Sequence, residues 1–229
     1  MEIVELVPRL HLVRLEFGQV YLWRDGDELT LIDAGLAGSG PAIADATRAL
    51  GLGPSAIRRI VLTHGHEDHA GGAAEVRAFD DAPVHAHHAD VPFVTGARPF
   101  PPPVLTDVDR EIWAQVSALG LPPAPPSVVD VELSDGDELD FGDGAVVVGA
   151  AGHTPGSIGV HLPRHGILFT GDTVAAVPGV PAMVGVFNLD HTATVESVRR
   201  LADLDPAVAC FGHGDPVVGE AGRAMRSVT

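Results

Sequence analysis

Residues 57–76 read IRRIVLTHGHEDHAGGAAEV and pass through three patterns in a short space. First comes the apolar run Ile60–Leu62, which suits a buried strand. Then His64, His66, Asp68 and His69 crowd one loop, and after them small residues open a helical pattern. A strand that runs through a glycine-bearing loop into a helix is the unit of layered α/β folds. Such folds gather their functional side chains at the C-terminal ends of strands. Four possible metal ligands in one loop would be out of place in an ordinary polar surface turn, so this stretch constrains both the fold and the chemistry.

The rest of the chain fits the same scheme. Ile3–Val7 and Leu10–Phe17 are rich in β-formers, and Val20–Trp23 and Leu29–Ile32 flank the turn RDGDE, a hairpin signal. PAIADATRALG, with Pro41 in its first turn and Gly51 closing it, predicts a helix. A further helix is expected just after the histidine loop, over AGGAAEVRAF, and a strand over APVHAH. Residues 92–127 break the alternation: ARPFPPPVL and GLPPAPPSV flank a helical stretch from Asp107 to Leu119. With α/β patterning on both sides, this reads as a covering insert within one domain spanning residues 1–229. Five strand patterns follow, Val128–Leu133, Glu138–Phe141, Ala145–Ala150, Ile158–Leu162 and Ile167–Thr170, then an amphipathic helix carrying Val195, Val198, Leu201 and Leu204, then a last strand in AVACFGHGD. Both halves begin with hairpins and continue with a helix and a strand, a hint of duplication.

Three more loops repeat the logic of the first. GHTPGS places His153, LFTGDTV places Asp172 and CFGHGD places His213, each among glycines at the end of an apolar run. Imidazole and carboxylate together suit zinc, and also iron or manganese.

Taken in order, His-x-His-x-Asp-His, a single His, the Asp of a Gly-Asp pair and a final His resemble the metallo-β-lactamase superfamily, and TLIDAG with Asp33 matches its first motif. The resemblance covers about Tyr21 to Pro216. It implies a four-layer αββα sandwich of two mixed β-sheets flanked by helices. It implies that His64, His66 and His153 hold one ion, that Asp68, His69 and His213 hold a second, and that Asp172 bridges the two. Asp33 would support the ligand loop from behind. The cofactors would be two divalent metal ions, zinc first, with iron or manganese as alternatives. The implied reaction is hydrolysis at a carbonyl by a hydroxide shared between ions about 3.5–4 Å apart, with Asp68 orienting the nucleophile or shuttling its proton. Glu67 is expected to face solvent.

Several features narrow the branch. True lactamases of the family generally lack an aspartate at the bridging position, which Asp172 occupies here. Glyoxalase II-type thioesterases share all seven metal positions and usually add a C-terminal helical domain. Only Gly214–Thr229 follow the last ligand here, so the chain resembles compact single-domain members. The expected substrate is a small thioester, ester or lactone, and a mononuclear iron persulfide dioxygenase is the runner-up. Net charge is −17, with no run of basic residues, which argues against nucleic acid and against an anionic membrane surface. Glu2 and Glu5 stand where a signal peptide carries basic residues, and the single cysteine, Cys210, permits no internal disulfide. These point to a cytoplasmic protein acting on a small molecule, and a homo-oligomer is compatible with them. Phe100 and Trp113 of the proline-rich insert are candidates for substrate contact, as is His191 at the start of the amphipathic helix. Tyr21 and the cluster His85-Ala86-His87-His88 read as structural.

Overall fold

The computed structural model describes residues 2–228. One sheet of seven strands is built from β1 (Glu2–Val7), β2 (Leu10–Arg14), β3 (Gln19–Asp25), β4 (Glu28–Ile32), β5 (Ile57–Val61), β6 (Val84–His87) and β7 (Val131–Leu133), side by side in that order. The first four are antiparallel, and β5, β6 and β7 join in parallel. The second sheet holds β8 (Glu138–Leu139), β9 (Ala145–Gly149), β10 (Ile158–Leu162), β11 (Ile167–Gly171), β14 (Val208–Phe211) and β15 (Val217–Val218), and β11 pairs in parallel with β14. A separate hairpin, β12 (Val174–Val177) with β13 (Val180–Val184), stands between β11 and β14 in the chain. The helices are α1 (Gly40–Ala49), α2 (Glu67–Ala70), α3 (Ala73–Arg77), α4 (Val91–Val94), α5 (Asp107–Ala118), α6 (His191–Ala202) and α7 (Ala221–Arg226).

Strand periodicity explains the layering. Successive side chains point to opposite faces. On β3, Tyr21 and Trp23 therefore join the core between the sheets, while Val20 and Leu22 join a second core beneath α1 and α3. On β11 and β14, Ile167, Phe169, Val208 and Cys210 point inward, while Leu168, Ala209 and Phe211 pack outward against α6 and α7. Both sheets are thus buried on both faces, which is the αββα sandwich. Each fully buried large apolar side chain contributes about 1.5–3 kcal/mol. Each sheet also has an antiparallel part extended in parallel across a helix, α1 between β4 and β5 and α6 between β11 and β14, the pattern the two halves of the sequence suggested.

Several boundaries differ from the sequence pattern. The helix expected after the histidine loop starts inside it, at Glu67, and is split into α2 and α3 at Gly71 and Gly72. A Cβ at Gly72 would lie 2.3 Å from the Ala34 carbonyl oxygen, so the chain there is pressed against the Asp33 loop. On α6 the buried face is Thr194, Ser197, Val198, Leu201 and Ala202, while Val195 is half-buried and Leu204, also half-buried, lies beyond the helix end. The β12–β13 hairpin, α4 and α7 had no clear periodic signal; each is short. Cys210 is fully buried, and burial pushes its thiol pKa up, as a core residue requires. No helix among the described residues is long and apolar enough to cross a membrane.

Candidate metal centre

The seven candidate ligands lie at the ends of strands of both sheets. His64 and His66 follow β5, His153 follows β9, Asp172 follows β11 and His213 follows β14. His66 is extended (φ −66°, ψ 160°) and immediately precedes α2. His64 and His66 therefore leave an extended chain two residues apart, whereas Asp68 and His69 leave the first turn of a helix, on another side. Glu67, between them, is exposed.

Two groups result: His64, His66 and His153 in one, and Asp68, His69, Asp172 and His213 in the other. In the first, His66 Nδ1 lies 3.1 Å from His64 Nε2 and 2.9 Å from His153 Nε2. In the second, Asp68 Oδ2 is 2.9 Å from His213 Nε2, and Asp172 Oδ1 is 3.3 Å from His69 Nε2. Asp172 Oδ2 lies 3.4 Å from His213 Nε2 and 3.8 Å from His153 Nε2, so this carboxylate faces both groups.

Hydrogen bonds behind the cluster fix which nitrogen carries a proton. His69 Nδ1 donates to Asp33 Oδ2 at 2.8 Å. Asp33 also accepts from the Thr63 hydroxyl and backbone N–H, which leaves the Thr63 oxygen to accept from His64 Nδ1 at 3.2 Å. His153 Nδ1 donates to Asn188 Oδ1 at 3.3 Å, and the Asn188 amide is oriented by donating to the Gly185 carbonyl. The Nε2 lone pairs of three histidines are thereby aimed inward. Asp33 holds a left-handed backbone (φ 61°), uncommon outside glycine, and is almost fully buried. Gly212 is required at its position: a Cβ there would sit 2.1 Å from Asp172 Oδ1 and 2.5 Å from His69 Cε1.

These residues fit metal ions. His69 Nε2 and Asp172 Oδ1 are buried and have no hydrogen-bond partner among the described residues. An imidazole nitrogen facing a carboxylate in a buried site calls for positive charge between them, a proton or a metal cation. The first group's nitrogens are spaced as expected when they converge on one ion at about 2.0–2.1 Å. The electrostatics agree. Burial, reinforced by the neighbouring imidazoles, holds His64 well below its ordinary pKa, and burial likewise lowers His66, to about 3, and His153. Burial would also depress His69 and His213, but the surrounding carboxylates outweigh it, Asp172 foremost. They raise His69 well above its ordinary value and His213 to about 10. Asp68 falls to about 2 and Asp172 is also held well below the usual carboxylate range, because the histidines' attraction exceeds the burial penalty. The second group thus demands positive charge, which protons or a divalent cation can meet, and the first presents neutral nitrogen donors.

Both groups open on a cavity of about 740 Å³. Phe100 and Trp113 line it with other residues of the proline-rich segment, and the β12–β13 hairpin lines it from another side. The Phe100 ring lies 4.6 Å from that of His66, and Phe17 lies 5.6 Å from His213. His191 is exposed at the first residue of α6 and does not line the cavity. Tyr21 is in the core, where its hydroxyl donates to the Phe211 carbonyl at 2.7 Å, beneath the His213 loop. Among the described residues His85, His87 and His88 form no metal cluster; His85 and His88 are satisfied by backbone carbonyls.

Asp90 is the residue that sequence reasoning missed. It precedes α4, where an aspartate reads as a helix cap, but it makes no side-chain cap. Its buried carboxylate instead accepts from Gly65 N–H at 2.9 Å, the Thr154 hydroxyl at 2.7 Å and Gly156 N–H at 2.7 Å. One side chain therefore pins the His64–His66 loop to the His153 loop. Asn188 was missed for a similar reason, since nothing local in FNLDH tells that it orients a distant histidine.

The chain is similar to known proteins in sequence and in fold. The sequence model of the metallo-beta-lactamase superfamily matches residues 13–213. The probable metallo-hydrolase YflN of Bacillus subtilis (strain 168) is 30% identical over 240 residues, covering 94% of this chain and 88% of that protein. Hydroxyacylglutathione hydrolase of Cereibacter sphaeroides is 31% identical over 160 residues, 69% of this chain and 48% of that enzyme, so the match spans about half of it. The crystal structure of TTHA1623 in a di-iron-bound form superimposes with a TM-score of 0.66 at 28% identity, covering 95% of this chain and 94% of the other.

Proposed function

Because this chain belongs to the metallo-beta-lactamase superfamily and is a metal-dependent hydrolase, we propose that it holds two divalent ions and hydrolyses a small thioester, ester or lactone in the cavity above them. The observation that carries this reading is Asp172, whose two oxygens face the two ligand groups within one cavity. His64, His66 and His153 would hold one ion, Asp68, His69 and His213 the other, and Asp172 both. When bound, such ions supply Lewis-acid polarisation of a carbonyl and bring the pKa of water toward neutrality. The chain's own groups do the rest. Asp33, Thr63 and Asn188 keep three imidazoles in the ligating tautomer. Asp68, which lines the cavity, orients the attacking water and takes up its proton. Phe17 and Phe100 flank the cluster and set apolar surface beside His213 and His66. Zinc is the first candidate metal, and the donor set also accepts iron or manganese. The few basic residues and the net charge of −17 support a small-molecule substrate over a polynucleotide.

Metal quantification on protein purified without added metal, coupled to assays with thioesters, simple esters, lactones and a persulfide, tests this. Two equivalents of metal and hydrolysis without oxygen consumption are expected. One iron per chain with oxygen-dependent sulfite formation would establish the dioxygenase reading instead.

A further inference from the structure

The walls of the cavity differ sharply from its floor. Its ionisable lining groups are His66, Asp68, His153, Asp172 and His213 of the ligand cluster, and Glu67 beside them. Among the described residues that line it there is no arginine, and the chain contains no lysine at all. Away from the floor the lining is almost wholly apolar, with Trp113, Val116 and Leu121 from α5 and the residues after it, and Met183 and Phe187 from β13 and the loop that follows it. Trp113 and Phe187 meet edge to face with centroids 5.0 Å apart. Phe187 adopts a left-handed backbone (φ 63°), a conformation unfavourable for a bulky residue. The next residue, Asn188, is anchored to His153 and to Gly185, so the constraint that orients a ligand histidine also sets Phe187 against the cavity.

We propose, building on the hydrolase reading, that the substrate is an electrically neutral carbonyl compound with an apolar acyl or aryl arm. The arm lies along the apolar wall that Val116, Trp113, Phe187 and Met183 form together, and the scissile carbonyl reaches the ligand cluster. An anionic arm finds no cationic partner on these walls, and burying an unpaired carboxylate is costly. The net charge of −17 opposes its approach as well. Glutathione conjugates and β-lactam acids are therefore disfavoured on the same ground, and a neutral medium-chain ester or lactone is favoured. The cavity volume falls in the range that encloses a drug-sized ligand.

Two measurements on the metal-loaded protein test this. In the first, kcat/KM is followed along a series of acyl thioesters from acetyl to decanoyl, with each longer member paired with an analogue bearing a terminal carboxylate. We expect a rise of about two- to fourfold per methylene until the slot is filled, and at least a tenfold loss on adding the carboxylate. A flat series, or carboxylated members turned over equally well, overturns the substrate class while leaving the hydrolase reading intact. No hydrolysis of any member, acetyl included, nor of the matching oxygen esters and lactones, overturns both. In the second, tryptophan fluorescence is titrated with N-octylacetamide and with octanoate. Saturable change with the amide only, lost in Trp113→Phe, is expected; the same response to octanoate, or none to the amide, overturns the proposal. Trp23 is fully buried in the core and Trp113 is partly exposed, so the signal reports the cavity. Met183→Arg should reverse the discrimination against carboxylated esters, and an unchanged ratio would count against the assigned slot.

Discussion

Asp90 shows how much a single carboxylate away from the ligands can decide. Burial raises its pKa above the ordinary carboxylate value, despite donors from Thr154, Gly156 and Gly65. Removing it strands those three donors, and each unsatisfied buried group costs about 1–3 kcal/mol. Asp90→Ala should therefore lose about 2–4 kcal/mol in chemical denaturation, tempered by the buried charge it relieves. Metal affinity should also fall by about 10–100-fold, because two ligand loops lose their common tie. Unchanged affinity in a competition titration would show that the loops hold themselves. A second residue-scale expectation concerns pH. In metal-free protein His66 has a folded pKa of about 3, against an ordinary 6.5, so the unfolded chain alone binds its proton between those values and stability falls as pH drops. His213 is raised to about 10, so the folded chain alone keeps its proton between 6.5 and 10 and stability falls as pH rises. Thermal unfolding of chelated protein should peak near pH 6.5, and metal loading should abolish the alkaline decline, since His213 must then be unprotonated. An apo-protein curve level from pH 6.5 to 9 would refute the assignment.

At the scale of elements, α5 is the informative case. It is held at its start by a capping box, Thr106 Oγ1 accepting from Asp109 N–H and Asp109 Oδ2 accepting from Thr106 N–H. Beyond it the helix is largely exposed, so local terms govern its stability. Thr106→Ala should cost about 1 kcal/mol. Hydrogen exchange should accelerate about fivefold across α5 while β10 and β11 keep their protection. A uniform change across the protein would mean that α5 opens only with the whole fold. The bounds of α5 were readable, Asp107–Leu119 against Asp107–Ala118, because its first turn carries its own signal. The start of α2 was not, because Glu67 begins a helix only where the preceding extended residues are held by contacts from Asp90 and Asp33.

The whole molecule is two sheets whose loops meet at one cluster. His64, His66, Asp68 and His69 follow a strand of the first sheet, and His153, Asp172 and His213 strands of the second, so ions held by both groups would link the halves. A ligand present at a thousandfold its Kd stabilises by about 4 kcal/mol, and in a chain of this size each kcal/mol moves Tm by about 2–4 °C. Chelation should therefore lower Tm by about 8–16 °C, measured by calorimetry with and without a chelator; an unmoved Tm would argue that no metal bridges the sheets.

The sequence alone determined the alternation of strands and helices and the identity of the ligand-type residues, because strand periodicity, glycine-bearing loop ends and imidazole–carboxylate chemistry are local properties. His64, His66, His153, Asp68, His69, Asp172 and His213 all stood out at the ends of apolar runs. Only the tertiary structure decided which of them face each other, that His191 stands outside the cavity while Phe100 touches His66, and that Asp90 and Asn188 hold distant loops in place. Those are long-range relations: Asp90 and Thr154 lie 64 residues apart in the chain. No local pattern encodes a hydrogen bond closed by the packing of two sheets.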